Sequence, residues 1–333
     1  MKRIGALLLA VGMIFGSLAL RNSMNSDNPD SQKSGGSDSA SSDAKFRLIC
    51  STELADICAE LQGTQPNLTV KTEEAGATAD RLTLLPDRTD PGFDAWLTVG
   101  PWAEIVQDNR SFTENKGAIL GKASQVLGSS PSQIVTSKSA ESELETACGG
   151  TITWKCLGEN QSLPQPQNIG MASPNTGAGL AVLADATNSF FGSNGYSATD
   201  FEEAAFIGWF QQLTEKSRTV QLSGKTPLDD AVAKQGSFTT VGTLSSEVAS
   251  LPTSSKKFNP VPAPKDAPAQ PVIAQVRLVP AAGITAQDAL DQVKTDNLTQ
   301  LLTDSNWNTA DPDPKSNMPV AGVLQVLREM WGA

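Results

Sequence analysis

No histidine occurs anywhere in the 333 residues. Without it there is no Ser-His or Cys-His nucleophile scheme, because the base that would activate the hydroxyl or thiol is missing, and no histidine-containing metal site. The G-x-S-x-G nucleophile turn is also absent. Gly224-Lys225-Thr226 ends like a phosphate-binding loop, but Thr219 stands where the upstream glycine belongs and Pro227 follows. Ser254 to Lys257 fits S-x-x-K only inside a proline-rich stretch, without the strand-to-helix setting that such chemistry needs. The pairs Glu202-Glu203 and Asp229-Asp230 read as solvated helix faces, since acid/base work requires carboxylates that converge in space. No enzyme activity, metal or cofactor is therefore expected. Basic residues number 25 against 36 acidic ones, for a net charge of −11, and they are dispersed without interleaved aromatics. That distribution argues against a nucleic-acid partner.

Cysteine is scarce, and none lies at the end of the N-terminal apolar run, where a bacterial lipoprotein carries its lipid-attachment residue. Lys2 and Arg3 precede apolar Ile4 to Leu20, after which Arg21 to Asp43 is a Ser/Asp/Asn/Gly tract that cannot pack a core. Residues 1–20 are expected to be a signal peptide or signal anchor, and residues 21–44 a disordered polar tether. Both endings, cleaved and anchored, stay open, and either one places the protein outside the cytoplasm. The four cysteines suit that compartment. Cys50 and Cys58 repeat the spacing of Cys148 and Cys156, and local pairing is expected. The alternative is a zinc site of all four, but such sites usually space their paired ligands two to four residues apart.

What is present is enough apolar material, 39%, for two cores or one large two-lobed unit. Phe46 to Cys50 reads as a strand, Ser51-Thr52-Glu53 as a turn and cap, and Leu54 to Leu61 as a helix. Leu68 to Lys71 is a second strand, Gly76 to Leu85 a short helix with its lead-in, and Phe93 to Thr98 a third strand. This alternation predicts parallel pairing with right-handed crossovers. Ligands on such sheets sit beyond the strand ends, which here carry Ser51, Thr52, Ala77, Thr78, Pro101 and Trp102. A second series follows: Ile134 to Thr136 and Thr151 to Trp154 as short strands, and Asn168 to Gly192 as a strand-to-helix turn. Thr199 to Leu213 reads as a helix with Phe201, Ala205, Trp209 and Phe210 on a core face. Leu228 to Lys234 is a further helix and Gly236 to Gly242 a strand. Leu251 to Pro271 reads as an irregular loop, Val272 to Val279 as a strand, and Thr285 to Leu302 and Val320 to Trp331 as helices.

Six stretches in this order resemble the extracellular solute-binding proteins of the type II periplasmic-binding-protein-like fold: ICSTELADIC, EEAGATADRL, DAWLTVGPW, VLGSSPSQIVTSK, NIGMASPNTGAGLAVLADA and KTPLDDAVAKQGSFTTVGTLSSEV. The resemblance covers residues 45–333. It implies an α/β, two-lobed fold with parallel-rich sheets, helices on both faces and two interlobe crossovers, near Leu127 to Pro131 and Leu244 to Val248. Lobe 1 would hold about 45–126 and 249–333, and lobe 2 about 132–243. A small polar or anionic solute would bind between the lobes, with hinge closure and an ABC-type transporter or an envelope protein as partner, the protein being a monomer. The alternative is a cell-envelope interaction protein that retains the fold. In the cleft, Ser51, Thr52, Ala77 and Thr78 are expected to face Thr176, Gly177 and Ser237, with Trp102 near the rim.

Overall fold

A computed structural model describes residues 45–113, 117–159, 169–219, 226–234, 237–252, 257–262, 271–311 and 313–332. The expected export segment and tether lie outside these residues, as does most of the S-x-x-K stretch. Alternating elements open the fold: β1 (Phe46–Ser51), α1 (Ala55–Thr64), β2 (Leu68–Glu73), α2 (Ala75–Leu84), β3 (Ala95–Val99) and α3 (Trp102–Ser111). β1 pairs in parallel with β2 on one side and β3 on the other, with Phe46 opposite Leu68 and Leu48 opposite Ala95. All five residues of β3 are buried, as a strand covered by helices on both faces requires.

The next stretch carries β4 (Gly128–Ser137), α4 (Lys138–Ala147), α5 (Trp154–Glu159), β5 (Ile169–Met171), α6 (Gly177–Phe191), α7 (Ala204–Lys216), β6 (Ser217–Thr219), α8 (Pro227–Ala233), β7 (Thr240–Leu244) and α9 (Ser245–Ala249). β5 lies parallel between β6 and β7. The chain then adds β8 (Phe258–Pro260), β9 (Ile273–Pro280), α10 (Ala286–Val293), α11 (Thr295–Asp304) and α12 (Ala321–Trp331). Among the described residues the strand order is β2-β1-β3-β9-β4-β7-β5-β6, with β8 on β4.

β4 joins the two halves of this two-lobed α/β fold. Its first four residues pair antiparallel with β9, which also pairs with β3, and Ser132 to Thr136 pair antiparallel with β7. The stretch Leu127 to Pro131, where a crossing is expected, therefore runs into one continuous strand, and the stretch from Leu244, where the return is expected, continues into α9.

Four local expectations are corrected. Thr151 to Trp154 form no strand: the buried Ile152 and Trp154 looked like alternation, but Trp154, Leu157 and Gly158 share one face of α5, which packs against Trp209. A Cβ on Gly158 would lie 2.0 Å from the Trp209 ring nitrogen. Thr285 to Leu302 is two helices, because Lys294 takes a left-handed φ of 54° and caps α10. The strand expected at Gly236 to Gly242 lies at Thr240–Leu244. Within the loop from Leu251, Phe258–Pro260 pairs with β4 at Val135 to Ser137. The aromatic set is core as expected for Phe201, Trp209 and Phe210. Phe206 is buried among them, while Ala205 is exposed. Both local disulfides are formed, Cys50–Cys58 and Cys148–Cys156.

Candidate functional site

A strand-to-helix turn leads from β5 into α6. Ser173-Pro174-Asn175-Thr176 folds back so that the Thr176 hydroxyl donates to Ser173 O at 2.7 Å and accepts from Gly179 N at 3.0 Å. This is the cap expected of a Thr before a Gly/Ala-rich helix. The adjoining α8 start is a capping box: Thr226 Oγ1 accepts from Asp229 N at 3.1 Å, and Asp229 Oδ2 accepts from Thr226 N at 2.9 Å.

Between these two helix starts, the turn after β1 and the end of α11 lies a cavity of about 690 Å³. Thr52, Glu53, Asp56 and Glu74 line it from the β1 side, and Ser173, Thr176 and Asp229 from the β5 side. Glu247 of α9 and Asp304, Asn306 and Trp307 complete the wall. Six of these groups are carboxylates, and no lysine or arginine is among the described lining residues.

The electrostatics follow from that lining. Burial raises the Glu247 carboxyl to about 7, and the negative charges of Glu53 and Asp229 push the same way, against hydrogen bonds from the Thr243 hydroxyl and the Leu244 N–H. Glu53 is raised too, chiefly by burial, although its Oε1 accepts from Ala178 N at 3.1 Å and its Oε2 from Thr52 Oγ1 at 3.3 Å. One carboxylate of the chain therefore already stands at the positive end of α6.

The residues expected from the sequence divide. Thr52 and Thr176 line the cavity. Ser51 is fully buried and donates to Thr98 Oγ1 at 2.9 Å, and Thr78 is buried and donates to Glu73 Oε2 at 2.8 Å, so both hydroxyls already serve the fold. Ala77 is exposed, Pro101 half-buried before α3, and Ser237 half-buried with its hydroxyl near Asp230 O at 3.4 Å; none of the three is a cavity-lining residue. Gly177 packs its backbone against the end of β3. Trp102 is not at a rim: it is fully buried, with the Arg328 guanidinium 5.6 Å from its ring centroid. What the sequence reading missed is the acid lining. For Asp229 a signal existed, since T-P-L-D is a capping box whose acid must turn back toward the helix start.

No family model matches the sequence, and no curated protein matches it. Solved structures share its fold. A periplasmic thiamin binding protein superposes with a TM-score of 0.56 at 13% identity, covering 86% of this chain and 94% of that one. The substrate binding protein of an ABC transporter from Agrobacterium tumefaciens gives 0.51 at 14% identity, covering 87% and 94%. A structure described as an ABC transporter from Clostridium perfringens ATCC 13124 gives 0.52 at 11% identity, covering 86% and 97%. At such identities the likeness shows the fold, the two-lobed type II periplasmic-binding-protein-like one. Among the described residues no helix is long and apolar enough to cross a membrane.

Proposed function

We propose that this protein, built on the type II periplasmic-binding-protein-like fold, is an extracytoplasmic binding protein that captures a small polar solute between its lobes for an ABC-type transporter. The observation that carries the reading is the cavity of about 690 Å³, whose wall is drawn from the β1 turn, the α6 and α8 starts, α9 and the end of α11. Its volume falls in the range of small-molecule sites, roughly 300 to 1,000 Å³. The pairing of β3 with β9 favours dividing the unit into lobe 1, about 45–126 and 249–333, and lobe 2, about 132–243, except that Phe258–Pro260 pairs with β4 at Val135 to Ser137 and so goes with lobe 2. The two disulfides suit an oxidising compartment outside the cytoplasm.

The lining supports a neutral or cationic solute over an anionic one. Two like charges about 4 Å apart at an effective dielectric near 20 repel by about 4 kcal/mol, and an anion here would meet several carboxylates at once. Calorimetric titration of the exported chain with amine, neutral polar and carboxylate solutes tests this. Micromolar binding of a cationic or neutral solute, weakened by salt if cationic, is expected. Tight binding of a dicarboxylate or phosphate at neutral pH would overturn the charge assignment. A second reading, a non-transport envelope interaction protein, is favoured by one feature: Glu53 already occupies the α6 start. Binding of no solute by a folded sample would support it.

A further inference from the structure

α9 is fixed to the strand that joins the two halves of the sheet. Ser246 N donates to Ser130 Oγ at 2.9 Å and Ser245 Oγ to Pro131 O at 3.2 Å, both acceptors lying in β4. Ser246 is only 4% exposed, and its carbonyl accepts from the Ser250 N–H and hydroxyl. Its own hydroxyl has no hydrogen-bond partner among the described residues, so the hydroxyl is what Ser246 offers to the cavity it lines. In Glu247 beside it, one oxygen is engaged and the other is not. Oε2 accepts from the Thr243 hydroxyl and from Leu244 N at 3.4 Å, which leaves Oε1 without a donor among the described residues. β4 and β7, against which α9 packs, hold no charged side chain. The charges that reach Glu247 are therefore those of the cavity wall: Glu53 after β1, Asp56 of α1, Glu74 before α2, Asp229 of α8 and Asp304 of α11. All are acids.

We propose that Ser246 and Glu247 are the subsite that takes the ammonium group of a primary-amine solute. The inference deepens the receptor reading above and rests on it. An alkylammonium carries three N–H donors and no acceptor, and here a carboxylate oxygen and a hydroxyl oxygen, both uncommitted, stand on neighbouring residues of one fixed helix. Its positive charge also offsets the repulsion among the acids of the wall. No group of three or more acidic or cysteine side chains among the described residues converges as a metal ion requires, which favours a hydrogen-bonding organic cation over a bare ion. Ile57, Pro227 and Trp307 line the same cavity and suit the carbon skeleton of such a solute. The subsite carries a pH signature. The Glu247 carboxyl, pushed up to about 7 chiefly by burial, must release its proton to solvent before it pairs with the ammonium, which itself stays charged below about pH 10. Affinity should therefore rise with pH through 7.

Amide NMR of the full chain titrated with n-butylamine tests the subsite, because shifts of assigned signals detect even the weak binding of so small a probe. The Ser246 and Glu247 amides should move, and the affinity should increase about tenfold from pH 6 to pH 8. Butyltrimethylammonium keeps the charge but has no N–H donor, and it should bind about tenfold more weakly or worse. Glu247→Gln should remove the pH dependence, whereas Ser246→Ala should weaken butylamine binding about tenfold and keep it. Should either variant lose its dispersed spectrum, the two wild-type comparisons, across pH and between the probes, decide alone. A pH-independent affinity, equal binding of the trimethylated probe, or shifts that miss Ser246 and Glu247 would each overturn the proposal. If a neutral polar solute shifts Thr52 and Thr176 while butylamine leaves Ser246 and Glu247 unmoved, the amine subsite falls and the receptor reading stands. If no solute shifts any residue of the wall, both fall.

Discussion

At the level of single residues, the informative groups are acids placed where a free acid is disfavoured. Glu247, with a carboxyl pushed up to about 7, keeps its proton in the folded state over a range in which the unfolded chain has released it. Between roughly pH 4.5 and 7 the folded form then binds more protons, and stability falls as pH rises through that window. Asp185, raised to about 6 by burial despite a hydrogen bond from the Trp154 ring N–H at 3.1 Å, acts with the same sign. Urea midpoints taken from pH 5 to 7.5 should show Glu247 contributing a loss on the order of 1 to 3 kcal/mol. Glu247→Gln should flatten that part of the profile, and an unchanged slope would refute the assignment. At Gly177 the constraint is steric instead. With Val99 O 2.0 Å from an added Cβ, Gly177→Ala should destabilise by about 1 to 3 kcal/mol in denaturant titration.

At the level of elements, the start of α6 does two jobs. The Thr176 hydroxyl gives its one proton and one of its two lone pairs to the turn, so Thr176→Val should cost about 1 kcal/mol of folding stability through the lost cap. A much larger thermal-melt effect would point to a role beyond capping. The disulfides tie short segments: Cys50–Cys58 staples β1 to α1, and Cys148–Cys156 staples the end of α4 to α5. Replacing the second pair by alanine should lower stability by about 2 to 3 kcal/mol, the modest value a short loop allows. Peptide mapping without reduction checks the pairing. These elements were legible because caps, local disulfides and helix periods are set by neighbours within a few residues. Where two periods overlapped, as at Ile152 to Gly158, the contact with Trp209 decided in favour of helix.

At the level of the whole molecule, the net charge of −11 and the acid-lined cavity point in one direction. A cationic solute should bind with an affinity that falls as salt rises, because partly exposed carboxylates are screened over a Debye length of about 8 to 10 Å. Titrations at low and physiological ionic strength would show it, and a salt-independent affinity would argue for a neutral solute. By itself, the sequence determined the α/β order, the two local disulfides, the absence of histidine chemistry and the capped start of α6. Each of these depends on composition or on spacing along a short stretch. Only the tertiary structure decided that Glu53, Asp229, Glu247 and Asp304 line one cavity, that Trp102 is buried under Arg328, and that Glu53 rather than a solute meets the first turn of α6. Those residues lie far apart along the chain. They come together only because β4 and β9 bring the two halves of the sheet edge to edge, a pairing between strands that no local period encodes.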